Sequence, residues 1–325
     1  MADLFGKRID STYIYVLNSD PNTAIVTNGD GSSVDWDGNK IVLKTGFQDI
    51  SGVKNFNSIP TVQGLEIVFK SNPLSGLGEG ILEMAQNSEG SVIFAGNVNS
   101  LDGDYSVILA GNNNSLTGNY SAIGVGIYND LIGDGSFILA GIQNSLNGNF
   151  SFIGAGVANH LTGNSSSING GLNSKLVGNQ SSILAGNNNN ISGNRSFIGG
   201  GTSNSVTGRE SLIGGGVLNS VDGSKSAILG GEENLIQNGD FSVIVGGDDN
   251  TLINSDNSVI VGGLQNTGSG NFSVVVGGKE NEVFGELSVI IGGQSNDIRT
   301  SDRSSIVAGT GNFIQDSQNS FLAGG

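Results

Sequence analysis

Cysteine is absent from this chain, so no disulfide can staple it and no thiolate can hold a metal. Proline occurs 3 times and histidine once. Charge is sparse and one-sided: 13 Lys and Arg face 29 Asp and Glu, for a net charge of −16. An anionic surface repels nucleic-acid phosphate and acidic lipid, which argues against both as partners. No stretch approaches the ~20 apolar residues of a membrane helix, so membrane insertion is not expected. The first residues, Met1-Ala-Asp-Leu-Phe-Gly-Lys-Arg8, lack the apolar core of a signal peptide, and the expectation is a chain made in the cytoplasm. Hydrophobic residues make up only 36% while glycine occurs 55 times. Such a composition fits either a disordered chain or a repeat fold, and periodicity separates the two.

The periodicity is strong. From Ser91 a serine returns every 15 or 16 residues through Ser106, Ser121, Ser136 and onward to Ser304 and Ser320. Counting that serine as offset zero, offset two is Ile in almost every copy, with Val275 and Leu322 as variants. Offset five is Gly in all sixteen copies, from Gly96 to Gly325. Offset eight is Asn in fourteen of the fifteen copies that reach it, Ser174 being the exception. Offset ten is Leu, Ile or Val except at Gly268.

Copy length tells where the turn lies. Eleven copies of 15 residues carry Gly at offset twelve, as at Gly103, Gly118 and Gly285. The four 16-residue copies, starting at Ser226, Ser242, Ser288 and Ser304, have Asn238, Asn254, Thr300 and Asp316 there. Offsets eleven to fifteen therefore read as a turn whose short form demands the positive φ that glycine allows.

Within a copy the period is two. Offsets zero to four, as in Ser106–Ala110, and offsets eight to eleven, as in Asn114–Thr117, each read as a short strand. Two strands and two turns make one coil, and stacked coils bury what one coil cannot. The expected fold is all-β: a parallel β-solenoid of 15- and 16-residue coils over residues 91–325, with sixteen repeat starts and the last incomplete. At ~4.8 Å per coil the rod would be roughly 75 Å long.

The two strands differ on their outer sides. Strand two is polar at offsets nine and eleven, as at Ser115 and Thr117 or Asp297 and Arg299. Strand one is apolar there too, at Val107 and Leu109, Phe137 and Leu139, and Val289 and Ile291. A strand apolar on both sides is expected to be buried on both sides, which predicts that strand-one faces of several chains meet along an axis.

Residues 1–90 lack the register and read as a small β region that attaches or caps the rod. Alternating segments occur at Tyr13–Leu17, Ala24–Val26, Ile41–Leu43 and Leu65–Phe69, with Asn28-Gly29 and Asp30-Gly31 as turn signals. A short helix over residues 80–88 is expected to cap the first coil, whose open edge would otherwise pair indiscriminately.

No catalytic, cofactor or metal residue is marked out. His160 stands alone in the variable offset nine and reads as an ordinary surface residue. Glu232-Glu233 and Asp248-Asp249, at offsets six and seven of adjacent coils, could stack into a carboxylate patch for Ca²⁺, but a solvated corner is the plainer reading. Gly199–Gly201 and Gly214–Gly216 belong to the repeat's own turn, with no Lys-Ser/Thr or helix after them, and are not phosphate loops. Asn at offset eight and Ser at offset zero read as internal hydrogen-bonding ladders.

The repeat Ser-x-Ile-x-Gly-Gly-x-x-Asn-x-Ile/Leu-x-Gly resembles the head repeats of trimeric autotransporter adhesins over residues 91–325. That resemblance implies a left-handed parallel β-roll, three chains around one axis. Unlike those adhesins, this sequence shows neither a signal peptide nor a membrane barrel. The segment Asp49–Gly64 looks like a linker motif of bacteriophage tail-fibre proteins. This second resemblance implies a non-enzymatic homotrimeric virion fibre, attached to other tail proteins through residues 1–90 and meeting a host glycan or receptor distally. A bacterial surface adhesin is the alternative. An ice-binding solenoid is disfavoured because offsets nine and eleven mix Ser, Thr, Asp, Lys, Asn and Arg. A solenoid polysaccharide depolymerase would need paired carboxylates, and none is marked by context.

Overall fold

The computed structural model describes residues 89–325, together with six short strands within residues 1–88. All regular structure among the described residues is β. From Ser91 onward the chain is a parallel β-solenoid. Strand one begins as Val92–Ile93 and recurs in every coil to Phe321–Leu322. Strand two begins as Ser100–Leu101 and recurs to Phe313–Gln315, forming a 15-stranded parallel sheet. Register holds the repeat residue on the repeat residue: Ile108 pairs with Ile123 and Ile123 with Ile138, while Leu116 pairs with Leu131.

All 29 buried core hydrophobics sit at offset two or ten. From Ile108 to Ile306 each is 0% exposed. Full burial of such a side chain stabilises by roughly 1.5–3 kcal/mol, but only because the coils above and below cover it.

Two polar ladders flank this core. The Ser106 hydroxyl donates to the Gly118 carbonyl at 2.8 Å and accepts the Ser121 N–H at 3.0 Å. The Asn129 side-chain amide donates to the Gly141 carbonyl at 2.9 Å, and its Oδ1 accepts the Asn144 N–H at 3.1 Å. Each side chain therefore satisfies backbone groups that the tight corners leave unpaired, as the sequence reading expects.

The structure adds a third line of contact. Offset six forms parallel bridges from Asn97↔Asn112 up to Gln294↔Thr310, so the segment between the strands is also stacked rather than a free turn. Next to it, offset seven is left-handed whatever its residue, as at Val98 (φ 55), Gln143 (φ 57) and Leu218 (φ 58). Such φ values cost on the order of 1 kcal/mol or more each for non-glycine residues, so the cross-coil hydrogen bonds must hold them.

The turn at offset twelve is corrected in its cause. Glycines such as Gly103 and Gly118 there have no positive φ; a Cβ on Gly103 would collide with the carbonyl oxygen of Gly118 in the next coil. Close stacking, not handedness, demands glycine. In the longer coils the added residue takes the positive φ, at Asn238 (φ 50), Asn254 (φ 49), Thr300 (φ 47) and Asp316 (φ 52). The residue after it then assumes the stacking role, for the Ser242 hydroxyl donates to the Ser255 carbonyl at 2.6 Å.

The expected capping helix is also corrected. Ile81–Met84 is a strand, antiparallel to Val92–Ile93 through Met84↔Val92 and Glu83↔Ile93. It closes the open edge of the strand-one sheet with backbone hydrogen bonds, which a helix could not supply. Phe69–Lys70 pairs antiparallel with it in turn. Tyr15–Val16, Val26–Thr27, Ser33–Asp37 and Lys40–Val42 form a separate four-stranded antiparallel meander. Three of these four strands overlap the alternating segments of the sequence, while Ser33–Asp37 falls between them. The Asn28–Gly31 turn signals and the Asp49–Gly64 segment lie outside the described residues.

Candidate interaction surface

The outer side of the strand-one sheet carries exposed apolar side chains in most coils. Offset one is half-buried in most coils, because its side chain lies between equivalent neighbours above and below. Offset three stands out from the sheet: Phe94, Leu109, Leu139, Leu184, Leu229, Val245, Val261, Val276 and Ile291 are all exposed, at 41–54%. At two of the four glycines that occupy offset three, an aromatic ring at offset one folds over the glycine. The Phe152 ring would lie 3.3 Å from a Cβ at Gly154, and the Phe197 ring 3.4 Å from one at Gly199. Bulk is thus shared between the two positions in those coils, whereas Ala122 with Gly124 and Ser167 with Asn169 leave gaps in the row.

The outer side of strand two is mixed. Thr117 and His160 are exposed, with Ser145 below His160 and Lys175 above it in register. Ile132, Val177 and Phe284 interrupt the polar column with exposed apolar side chains. His160 therefore stands where the sequence reading puts it, in a solvent-facing slot.

The acidic corner is a stacked pair. Glu232 bridges Asp248 backbone to backbone, and the Asp249 carboxylate accepts the Gln265 side-chain amide at 3.1 Å. Among the described residues no group of three or more His, Asp or Glu side chains could hold a metal ion.

One charged cluster was not singled out from the sequence. Arg299 Nε meets Asp297 Oδ2 at 2.6 Å, and Arg299 Nη2 meets Glu282 Oε2 at 3.0 Å. Asp297 lies in register on Glu282, below Phe313. Burial pushes the Asp297 carboxyl above the usual carboxylate range, against the pull of Arg299. Its Oδ1 has no hydrogen-bond partner. Sequence shows Glu282 and Asp297 at the same offset, but not that Arg299 bends back to hold both.

No protein-family model matches the chain. No curated protein matches it either.

Proposed function

We propose that this chain is a structural fibre protein: a rigid homotrimeric rod of a virion, serving host attachment or spacing rather than catalysis. The observation that carries the reading is the row of exposed apolar side chains at offset three, which recurs from Phe94 to Ile291 and is unbroken over the successive coils of Leu229, Val245, Val261, Val276 and Ile291. A partner that covers it must present apolar groups at the same ~4.8 Å rise. A second and third copy of the chain do so by construction, and three copies closing on one axis leave no stripe exposed. The likeness of Asp49–Gly64 to tail-fibre linkers supports a virion role, with residues 1–90 at the attachment end. A bacterial trimeric surface adhesin is the second reading, favoured by the likeness of the repeats to adhesin heads.

Sedimentation tests the proposal directly. The chain is 33.0 kDa, and the expected species is a trimer with the high frictional ratio of a rod. A monodisperse monomer would overturn the proposal. Leu139→Lys combined with Leu184→Lys is expected to dissociate the trimer while leaving the β-type circular dichroism unchanged, since both side chains point away from the coil core.

A further inference from the structure

One corner of the solenoid has a ladder of its own. Two residues before each repeat serine stands Asp or Asn in most coils, and its Oδ1 accepts the backbone N–H of the equivalent residue one coil earlier. Asp104 N–H donates to Asn119 at 2.8 Å, Asn119 to Asp134 at 2.7 Å, and Asn179 to Asn194 at 2.8 Å. The ladder resumes with Ser224 N–H to Asp240 at 2.7 Å and Asp240 to Asp256 at 2.8 Å. Between these runs, Arg209 and Ser224 replace the Asp or Asn in two successive coils. The N–H groups of Asn194 and Arg209 consequently find no acceptor among the described residues, whereas the gaps at Asn271 and Asp302 stand singly.

Positive charge gathers at the same place. Only seven Lys and Arg occur from Glu89 onward, and three of them, Arg195, Arg209 and Lys225, occupy this corner in successive coils. Glu210 N–H bonds the Asn194 carbonyl at 2.9 Å and Lys225 N–H the Arg209 carbonyl at 2.8 Å, which stacks the residues directly. Two depressions open here. One, of about 260 Å³, is lined by Asn179, Gln180, Asn194, Arg195 and Arg209. The other, of about 210 Å³, is lined by Arg209, Glu210, Ser224, Lys225, Asp240 and Phe241. Each therefore contains two cationic side chains; Asn194 and Arg209, the residues with unpaired N–H groups, both line the larger depression, and Arg209 lines the smaller as well.

The local anions do not cancel this. Glu210 is shared by Arg195 at 2.9 Å and Arg209 at 3.1 Å, which holds its carboxyl below the usual range. With Asp240, two carboxylates face three cations, on a chain whose net charge is −16. Lys225 Nζ rests 4.7 Å from the centre of the Phe241 ring.

We propose that these two depressions bind the carboxylates of an acidic glycan. The intact rungs define the template: an oxygen 2.7–3.0 Å from the N–H, where the chain itself supplies Asp or Asn elsewhere. A ligand carboxylate completes the interrupted ladder and meets the guanidinium groups with charge-assisted hydrogen bonds. The subsites lie one coil apart, ~4.8 Å, so the ligand is an extended chain with acid groups on successive units. Asn179, Gln180 and Asn194 offer amides to hydroxyl groups, and Phe241 offers an apolar face, which suits sugar rings. The inference deepens the fibre reading, on which it rests for the presence of such a glycan on the host surface.

The test titrates the full chain with linear oligogalacturonate and with the same oligomer methyl-esterified, by calorimetry. Binding of the acid form, weakening with salt, is expected, and no binding of the ester. Arg209→Asn with Ser224→Asp rebuilds the ladder, so the variant should fold at least as stably yet lose affinity by at least about tenfold. Undiminished affinity in that variant, equal binding of the ester, or no binding of the acid form would overturn the site. Inorganic sulfate displacing the oligomer at equal concentration would overturn the glycan assignment and leave an adventitious ion only. Sedimentation of the same samples separates the two proposals: a monomer that binds the oligomer defeats the trimeric fibre alone, and a trimer that does not bind defeats this site alone.

Discussion

The two sheets of the solenoid are alike inside and unlike outside. Inside, strand one contributes an Ile column and strand two a Leu, Ile and Val column, both sealed from solvent. Outside, strand one shows exposed apolar side chains in most coils, with gaps at Gly124 and Asn169, while strand two shows a column of changing chemistry that includes Ser145, His160, Lys175 and Glu282. The inner faces are constrained by stacking, which acts identically on every coil. The outer faces are free of that constraint, and their residues vary from coil to coil.

The contrast can be broken most forcefully from within. Ile198→Ala removes a fully buried side chain between Ile183 and Ile213 and is expected to destabilise by about 2–5 kcal/mol in a thermal melt. Leu184→Ala, on the outer side next to Ile183 in the preceding coil, should leave the melt of a dissociated chain almost unchanged, and an equal loss would refute the inside–outside distinction.

A smaller effect of opposite sign is expected at Ser174. It interrupts the asparagine ladder: its hydroxyl is buried without a partner, and the Asn189 N–H loses the acceptor that Asn189 Oδ1 gives Asn204 at 3.0 Å. Ser174→Asn should restore that bond and a second one to the Gly186 carbonyl, stabilising by roughly 1–2 kcal/mol. A lower melting temperature would show that the ladder is not held by these bonds.

The smallest effect lies on the outside of strand two. The Asp297 carboxyl is raised by burial, so the folded chain holds its proton more tightly than the unfolded chain. Its contribution to stability is then fully present below the unfolded carboxylate pKa of ~3.9 and is lost as pH rises through the folded value. Asp297→Asn should remove this acid-side dependence and change stability at neutral pH by less than about 1 kcal/mol, because Arg299 keeps its contact with Glu282 at 3.0 Å. A melt whose pH dependence is unaltered would refute the assignment.

Much of the fold is legible in the sequence because the repeat samples the same environment many times. Ile at offset two, Asn at offset eight and Ser at offset zero each recur in register, and each recurrence marks a position that the neighbouring coil restricts. The role of Gly103 and its equivalents was misread for a physical reason. Glycine serves equally for a positive φ and for a close approach, and only coordinates separate the two. Residues 80–88 have no repeat to average over, and a strand edge that needs covering can be covered by either element. The corner ladder of Asp and Asn before the serine was legible, since those residues recur in most coils, but its interruption at Arg209 and Ser224 gains meaning only when the N–H directions are known.

The sequence by itself determined the all-β solenoid, the coil length, the two core columns and the ladders, because stacking imposes the same demand on every copy. Tertiary structure alone decided which glycines answer a carbonyl rather than a dihedral angle, that the cap is a strand, and that Arg195, Arg209 and Lys225 share one corner with two unpaired amides. Those facts depend on where backbone groups point across coils 15 or 16 residues apart, and residue identity does not encode that direction.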